Sequence, residues 1–134
     1  MRVALLFWLR LAACALAPLP PVFAAAVARA EDLSREEVSA LLAGAAREGR
    51  PADLAGRMLR GLDLSGLDFT GARLVGANLS GANLHGAKLQ DADLSGAKLR
   101  RANLVVTWLI RANFTGADLS GANLQSLVTS TGLE

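Results

Sequence analysis

The chain has 134 residues, of which 52% are hydrophobic and only 4% aromatic, with 14 basic and 12 acidic side chains. That length suits one domain, whose core must be built from small apolar side chains because large rings are scarce. The charges nearly balance, so the sequence implies no long-range field for nucleic acid or for an anionic membrane.

Residues 1–26 are predicted to be a secretory signal peptide, because Arg2 precedes an apolar stretch and a proline-rich exit. Arg10 interrupts the apolar stretch, and no run without charge or proline is long enough to span a bilayer. Removing Arg2 and Arg10 leaves 12 basic and 12 acidic residues, so the mature domain is close to neutral. A periplasmic or secreted location is expected, with no membrane insertion after cleavage. Small residues offer cleavage after Ala24, Ala26 or Ala30.

Cys14 is the single cysteine, so the chain cannot form an internal disulfide. The sequence Leu11-Ala12-Ala13-Cys14 resembles the lipobox of bacterial lipoproteins, in which the thiol is lipidated and becomes the mature N-terminus. Arg10 directly before the box counts against this interpretation. A lipid anchor at Cys14 in the envelope therefore stays open as the alternative location.

Residues 27–50 are predicted to form an N-terminal segment with one helix over residues 33–49. Ser34 and Glu37 have the spacing of a capping box, and Gly49 is a usual helix stop. An apolar stripe along one face of this helix is expected to cover the open edge of the first repeat coil. The members of the stripe are Val38, Leu41, Leu42 and Ala45.

Residues 51–126 repeat with a period of five, most clearly from Leu62 to Ser126. In these thirteen blocks the third residue is always Leu or Phe, the first is Ala in ten and the fifth is Gly in eight. The alternation of small, polar and large residues predicts a short strand whose first and third residues are buried. The last two residues of each block are typical of turns.

This Ala-(Asp/Asn)-Leu-x-x pattern closely resembles that of the pentapeptide-repeat proteins. The resemblance implies an all-β solenoid, a right-handed quadrilateral β-helix in which four blocks make one coil. About three coils are expected, preceded by the capping α-helix and the cleaved signal peptide and followed by a short tail at 127–134. Residues twenty apart would then stack, so Asn83, Asn103 and Asn123 are expected to form a hydrogen-bonded ladder.

Nothing in the sequence predicts catalysis. His85 is the single histidine, no cysteine lies near it, and no serine has a base at hand. Neither a metal site nor an activated nucleophile is therefore expected. The chain is predicted not to be an enzyme and to need no cofactor.

The repeat departs most from its pattern at residues 102–111, where the corner glycine is lost in successive blocks. Apolar side chains take outward positions that hold polar or small residues elsewhere, which indicates a binding partner. We call this surface the Trp108 patch, and its members are Val105, Val106, Trp108, Ile110 and Arg111. In the alternative interpretation, Leu127 and Val128 or another segment of the chain fold over it. The nearby basic residues are expected to solvate the surface, with a weakly bound acidic partner as the alternative: Lys98, Arg100, Arg101 and Arg111.

The preferred function is a non-catalytic scaffold of the bacterial envelope that binds an unidentified protein, or itself as a homodimer through an uncovered C-terminal coil. The alternative is DNA mimicry, by which gyrase-protecting members of the family inhibit a topoisomerase. Mimicry requires dense negative charge, whereas residues 62–126 hold six basic and five acidic groups. A signal peptide would also remove the chain from the cytoplasm.

Overall fold

The structure is a computed structural model that describes residues 32–129. The predicted signal peptide at 1–26, Cys14 within it, and residues 130–134 of the predicted tail lie outside the described residues. Within residues 32–129, no helix has the length and apolar character that a membrane crossing requires.

The predicted helix is present as α1, which runs from Arg35 to Arg47. The capping box is confirmed: the Ser34 hydroxyl accepts the Glu37 N–H at 3.2 Å, and the Ser34 N–H donates to Glu37 Oε2 at 2.7 Å. The helix ends where Gly49 takes a left-handed φ of 62°, a conformation that glycine adopts without a steric penalty. Capping residues therefore set both ends, two residues inside the predicted range of 33–49.

The buried face of α1 is narrower than the predicted stripe. Val38 is fully buried, Ala45 is buried and Leu42 is half-buried, whereas Leu41 is 42% exposed. The prediction that Leu41 belongs to the buried face of α1 was therefore wrong. At 3.6 residues per turn, positions 38, 42 and 45 fall within about 60° of one another, and position 41 lies outside that arc.

The start of α1 contacts the first repeat blocks. The Leu33 N–H donates to the Met58 carbonyl at 3.4 Å, and Arg35 Nη2 donates to the Ser65 carbonyl at 3.2 Å. Arg35 also donates to the Asp63 carbonyl and pairs with the Asp63 carboxylate at 3.5 Å. Hydrogen bonds and buried apolar side chains thus hold the helix against the beginning of the repeats.

After α1 the chain forms a ladder of parallel bridges between residues twenty positions apart. Four blocks of five residues therefore make one coil of a β-helix. The bridges begin at Asp53 and reach Val128, two residues beyond the predicted end of the repeats at Ser126. Each bridge in the described part is a single residue rather than the predicted short strand. The turn residues of each block interrupt the ladder before a longer strand can form.

Backbone hydrogen bonds around Leu84 show how adjacent coils are joined. The Leu84 N–H donates to the Asn103 carbonyl at 2.7 Å, and the Asn83 N–H donates to the Leu62 carbonyl at 2.8 Å. Within the coil, the Ala87 N–H donates to the Leu84 carbonyl at 2.9 Å and closes the turn. Each such block is bonded to the coils on both sides, which sets equivalent side chains in columns.

The interior consists of stacked leucines and two phenylalanines, Phe69 and Phe114, with alanines beside them. Third-position side chains from Leu54 to Leu104 are fully buried, and first-position alanines from Ala72 to Ala102 are buried too, as the alternation predicted. Burial decreases in the last described coil, where Phe114 and Leu119 are half-buried and Leu124 is 43% exposed.

The bridging residues divide the outside of the β-helix into four faces. Each face is defined here by the residues that stack on it. The first face contains Asp53, Arg73, Asp93 and Asn113; the second Met58, Asn78, Lys98 and Asp118; the third Asp63, Asn83, Asn103 and Asn123; the fourth Asp68, Lys88, Trp108 and Val128.

Candidate functional site

The Trp108 patch occupies the fourth face and the two corners beside it. Val105 and Val106 form the corner before this face, Trp108 is its bridging residue, and Ile110 and Arg111 form the corner after it. The fold therefore brings the five predicted residues together along one coil.

None of the apolar members of the patch is buried. Val106 is 40% exposed and Trp108 is 39% exposed, while Val105 and Ile110 are half-buried. Trp108 lies between two residues that turn inwards, the fully buried Thr107 and the half-buried Leu109. This alternation directs the indole away from the core.

Thr107 is a residue whose role the sequence analysis missed. It occupies the first position of its block, where most blocks have Ala, and its hydroxyl donates to the Leu84 carbonyl at 2.9 Å. This bond satisfies the hydroxyl inside the core and ties the start of the fourth face to the coil before it. The signal in the sequence was the replacement of Ala by Thr directly before Trp108.

Val106 has an unfavourable backbone conformation. Its φ is 57°, in the left-handed region that β-branched residues rarely adopt. Gly86, at the same corner one coil earlier, has a φ of 65° without a side chain to clash. Holding Val106 in this region costs on the order of 1–2 kcal/mol. The patch thus combines exposed apolar surface with local strain, and strain of this kind is concentrated at functional sites.

The charged groups around the patch are paired with each other. Arg111 binds Asp91 through two hydrogen bonds of 2.5 and 2.7 Å, and Lys88 lies 3.5 Å from Asp68. The hydrogen bonds and charge of Arg111 lower the pKa of Asp91, and the same contacts raise the pKa of Arg111. The guanidinium of Arg111, a member of the patch, is therefore held in an exposed ion pair with Asp91.

Leu127 and Val128 do not fold over the patch, contrary to the alternative interpretation. The Val128 N–H donates to the Thr107 carbonyl at 2.9 Å, and the Leu109 N–H donates to the Val128 carbonyl at 2.8 Å. These bonds place Val128 beside Trp108 in the ladder, as the next member of the fourth face. Trp108 remains 39% exposed.

The asparagine ladder on the third face is confirmed for its first two members. Asn83 Nδ2 donates to Asp63 Oδ1 at 3.1 Å, and Asn103 Nδ2 donates to Asn83 Oδ1 at 3.0 Å. The same side chains accept backbone N–H groups two residues later; Asn83, for example, accepts the N–H of His85 at 3.2 Å. Asn123 accepts the N–H of Gln125 at 3.3 Å. These side-chain to backbone hydrogen bonds stabilise the turn at each corner.

Carboxylates at second positions form the same local bond. The Ser65 side chain and backbone donate hydrogen bonds that hold the pKa of Asp63 below its ordinary value, and Ser95 does the same for the pKa of Asp93.

His85 is exposed. Across residues 32–129, no three side chains of His, Cys, Asp or Glu come together as metal ligands.

The sequence model for pentapeptide repeats matches the chain with eight copies, over residues 52–86 and 87–125, which is more than half of its length. A comparison with curated proteins finds no match.

Several solved structures are similar to the chain. HetL, a pentapeptide repeat protein involved in heterocyst differentiation regulation from the cyanobacterium Nostoc sp. strain PCC 7120, is 35% identical, with 60% of this chain and 42% of HetL covered and a TM-score of 0.42. A pentapeptide repeat protein from the Arabidopsis thaliana thylakoid lumen is 31% identical over 54% of each chain, with a TM-score of 0.37. Another pentapeptide repeat protein from Nostoc is 39% identical, covering 62% of this chain and 72% of that one, with a TM-score of 0.36. The chain therefore spans less than two thirds of the length of the first two.

Proposed function

The chain belongs to the pentapeptide-repeat family, and from this premise we propose that it is a non-catalytic scaffold of the bacterial envelope that binds a partner protein. Proteins of this family are generally structural or interaction proteins built as right-handed β-helices. The β-helix supplies a rigid support, and the Trp108 patch supplies the surface on which a partner binds.

The observation that carries this proposal is the exposure of Trp108 beside the strained corner at Val106. Tryptophan is enriched among the residues that dominate binding energy at interfaces, because its large ring buries much apolar area. The outward Trp108 and its aliphatic neighbours Val105, Val106 and Ile110 form a partly exposed apolar surface, and such surfaces mark interaction sites. Burial of this apolar surface against a partner would be favourable, which accounts for its presence on the outside of the β-helix.

We further propose that α1 caps the first coil of the β-helix. The burial of Val38 and the bonds from Arg35 to the backbone of Asp63 and Ser65 support this role. A coil edge covered by a helix is protected from pairing with another chain, which favours binding at the side surface.

The proposed location is the periplasm or the outside of the cell, with the lipid-anchored envelope protein as its alternative. Support comes from the sequence of residues 1–26 and from Cys14. Cell fractionation tests the location, and recovery of the protein only from the cytosol would overturn it. Globomycin treatment separates the two alternatives, because it blocks processing of a lipoprotein and leaves an ordinary secretory signal unaffected.

The binding proposal is tested by crosslinking the full chain in its organism of origin and identifying the captured proteins. Wild type, Trp108→Ser and His85→Ser are compared, since His85 is an exposed ring at the corner one coil earlier. We expect wild type and His85→Ser to capture the same protein, and Trp108→Ser to lose it with an unchanged melting temperature. Equal capture by all three variants would overturn the proposal.

Self-association through the last described coil is a second candidate, favoured by the exposure of Leu124. The edge of a coil that carries an exposed apolar side chain can pair with a second copy. Sedimentation of wild type and Leu124→Asp tests it: a dimer that the substitution dissociates supports end pairing, and a monomeric wild type excludes it. A dimer that Trp108→Ser dissociates instead assigns self-association to the patch.

DNA mimicry is disfavoured by the ion pairs that neutralise several acidic side chains, among them Asp91 with Arg111 and Asp68 with Lys88. A surface whose carboxylates are paired in this way does not present the dense negative charge of a nucleic acid. A supercoiling assay with the purified chain checks the point, and inhibition of the topoisomerase would overturn our preference.

A further inference from the structure

Three arginines line an open groove at the corner between the second and third faces. Arg60 and Arg100 occupy the same position of stacked blocks, with Ser80 between them, and Arg101 follows Arg100. The groove has a volume of 490 Å³. Its lining residues are Arg60, Asn78, Ser80, Gly81, Arg100 and Arg101.

The positive charge of this groove is poorly compensated. Arg100 lies 3.8 Å from Asp118, with both side chains exposed, and within residues 32–129 neither Arg60 nor Arg101 has an ion pair or a side-chain hydrogen bond. Arg73, on the neighbouring first face, is instead paired with Asp53 at 3.4 Å. Arg60 and Arg101 are thus available to a ligand, whereas Arg73 is held by Asp53.

The backbone at Arg101 is strained in the manner of Val106. Arg101 has a φ of 56°, whereas the equivalent residues in the coils before and after it are Gly81 and Gly121, each with a φ of 69°. Gly81 has no side chain and leaves the floor of the groove open, and a Cβ added to Gly121 would lie 3.4 Å from Cγ of Arg101. The stem of Arg101 therefore runs beside a glycine that makes room for it.

We propose that this groove binds phosphate groups. Its lining side chains come from three successive coils: Arg60 from the first, Asn78 and Ser80 from the second, and Arg100 and Arg101 from the third. Two steps of the ladder separate Arg60 from Arg100, or roughly 10 Å of backbone that two extended side chains can bridge. A tetrahedral phosphate presents acceptor oxygens in several directions at once, whereas the acceptor sites of a carboxylate lie in one plane.

The ligand chemistry is a phosphate chain or a phosphate ester, and it can come from a free polyphosphate or from a lipid headgroup. The groove is separate from the Trp108 patch, since the whole third face lies between the corner at Arg101 and the corner at Val106. Phosphate binding therefore stands independently of the proposed partner protein.

The test is calorimetric titration of the full chain at low ionic strength with tripolyphosphate, and with citrate as a carboxylate of similar charge. The variants are Arg101→Gly, Arg60→Gln, and two controls, Val106→Gly and Arg73→Gln. Arg101→Gly restores the residue that the repeat prefers, so it removes the guanidinium while relieving backbone strain. Val106→Gly relieves the same strain elsewhere, and Arg73→Gln removes the same charge outside the groove.

We expect tripolyphosphate to bind wild type and both controls alike, and Arg101→Gly and Arg60→Gln to weaken binding about tenfold each, the loss of one charged hydrogen bond. Equal affinity in Arg101→Gly and wild type would overturn the proposal, as would citrate binding as tight as that of tripolyphosphate. Flotation with phosphatidylglycerol vesicles distinguishes the sources. Arginine-dependent flotation assigns the phosphate to a lipid headgroup, and its absence, with tripolyphosphate bound, assigns it to a free phosphate compound.

Discussion

The guanidinium of Arg111 and the carboxylate of Asp91 form a two-bonded ion pair, with Nε to Oδ1 at 2.5 Å and Nη2 to Oδ2 at 2.7 Å. The two residues are twenty apart in the sequence, at equivalent corners, and both have a φ of 56°. Neither corner has the glycine that most blocks place there. The pair therefore joins two strained corners of adjacent coils at the edge of the Trp108 patch.

Breaking this pair is expected to lower the melting temperature in a salt-dependent way. Arg111→Gln and Asp91→Asn should each have an effect at low salt, and the double variant should show less than the sum of the two. At about 1 M salt the Debye length falls to about 3 Å, so the difference from wild type should shrink. Thermal denaturation at both salt concentrations measures this. Additive, salt-independent effects would mean that the two side chains do not interact in solution.

Val106→Gly is expected to stabilise the fold by about 1 kcal/mol, because glycine adopts a φ near 57° without the clash of a β-branched side chain. Chemical denaturation of the two proteins measures the difference. Val105→Gly is the matched control, since Val105 is the neighbouring valine and is not among the positive-φ residues. It should bring no gain, and equal stabilisation by both substitutions would contradict a strain effect at Val106.

Leu84→Asp is expected to unfold the protein or to destabilise it by more than about 4 kcal/mol, because it buries an unpaired charge in the fully closed interior. The adjacent substitution, His85→Asp, places the same carboxylate on an exposed corner and should be tolerated. Circular dichroism melts compare the two. A cooperative transition at the wild-type temperature for Leu84→Asp would refute the inward assignment of this column.

Leu42→Asp and Leu41→Asp form a matched pair that tests the packing of α1 on the repeats. Leu42 is half-buried in the apolar cluster and its replacement should cost roughly 2 kcal/mol, whereas Leu41 is exposed and should change stability by about 0.5 kcal/mol at most. The loss of helix propensity is the same at both positions and cancels. Equal effects in urea denaturation would mean that α1 does not use this face.

The stability of the β-helix is expected to fall only in strong acid. Hydrogen bonds from Ser65, Ser95 and Ser120 hold the pKa of Asp63, Asp93 and Asp118 below their ordinary values, so these carboxylates stabilise the folded state in their ionised form. That contribution is complete above the unfolded pKa of about 4 and is lost as the pH drops through the lower folded pKa. The melting temperature should be constant from about pH 7 to about pH 5 and decline below about pH 4.

The triple replacement of these three carboxylates by Asn should flatten the acid decline. Asn at the same position keeps the hydrogen bond to the following backbone N–H, as Asn83 does for His85, but it does not titrate. Melting curves from pH 7 to pH 2 compare wild type with the triple variant. Identical acid profiles would mean that other groups control acid unfolding.

Much of the fold follows from the amino-acid sequence because every block repeats the same pattern of buried and turn-forming residues. Leu, Phe and Ala at alternate positions have to be buried together, glycine permits the left-handed corner, and the capping box from Ser34 to Glu37 starts α1. The outward positions of Val106 and Trp108 were also predictable, since these residues replace the glycine and the polar residue that other blocks have there.

What the sequence left open concerns groups that meet only when coils stack. The pairing of Arg111 with Asp91, the bond from Thr107 to Leu84, and the exposure of Leu41 beside the half-buried Leu42 were decided by the tertiary structure. The tertiary structure also places Arg60 beside Arg100 and Arg101 in one groove, where Arg101 has no ion pair among the described residues. The physical reason is that the five-residue period determines locally whether a side chain points inwards or outwards. Side chains that meet across coils are twenty residues apart, so their contacts depend on how the coils stack.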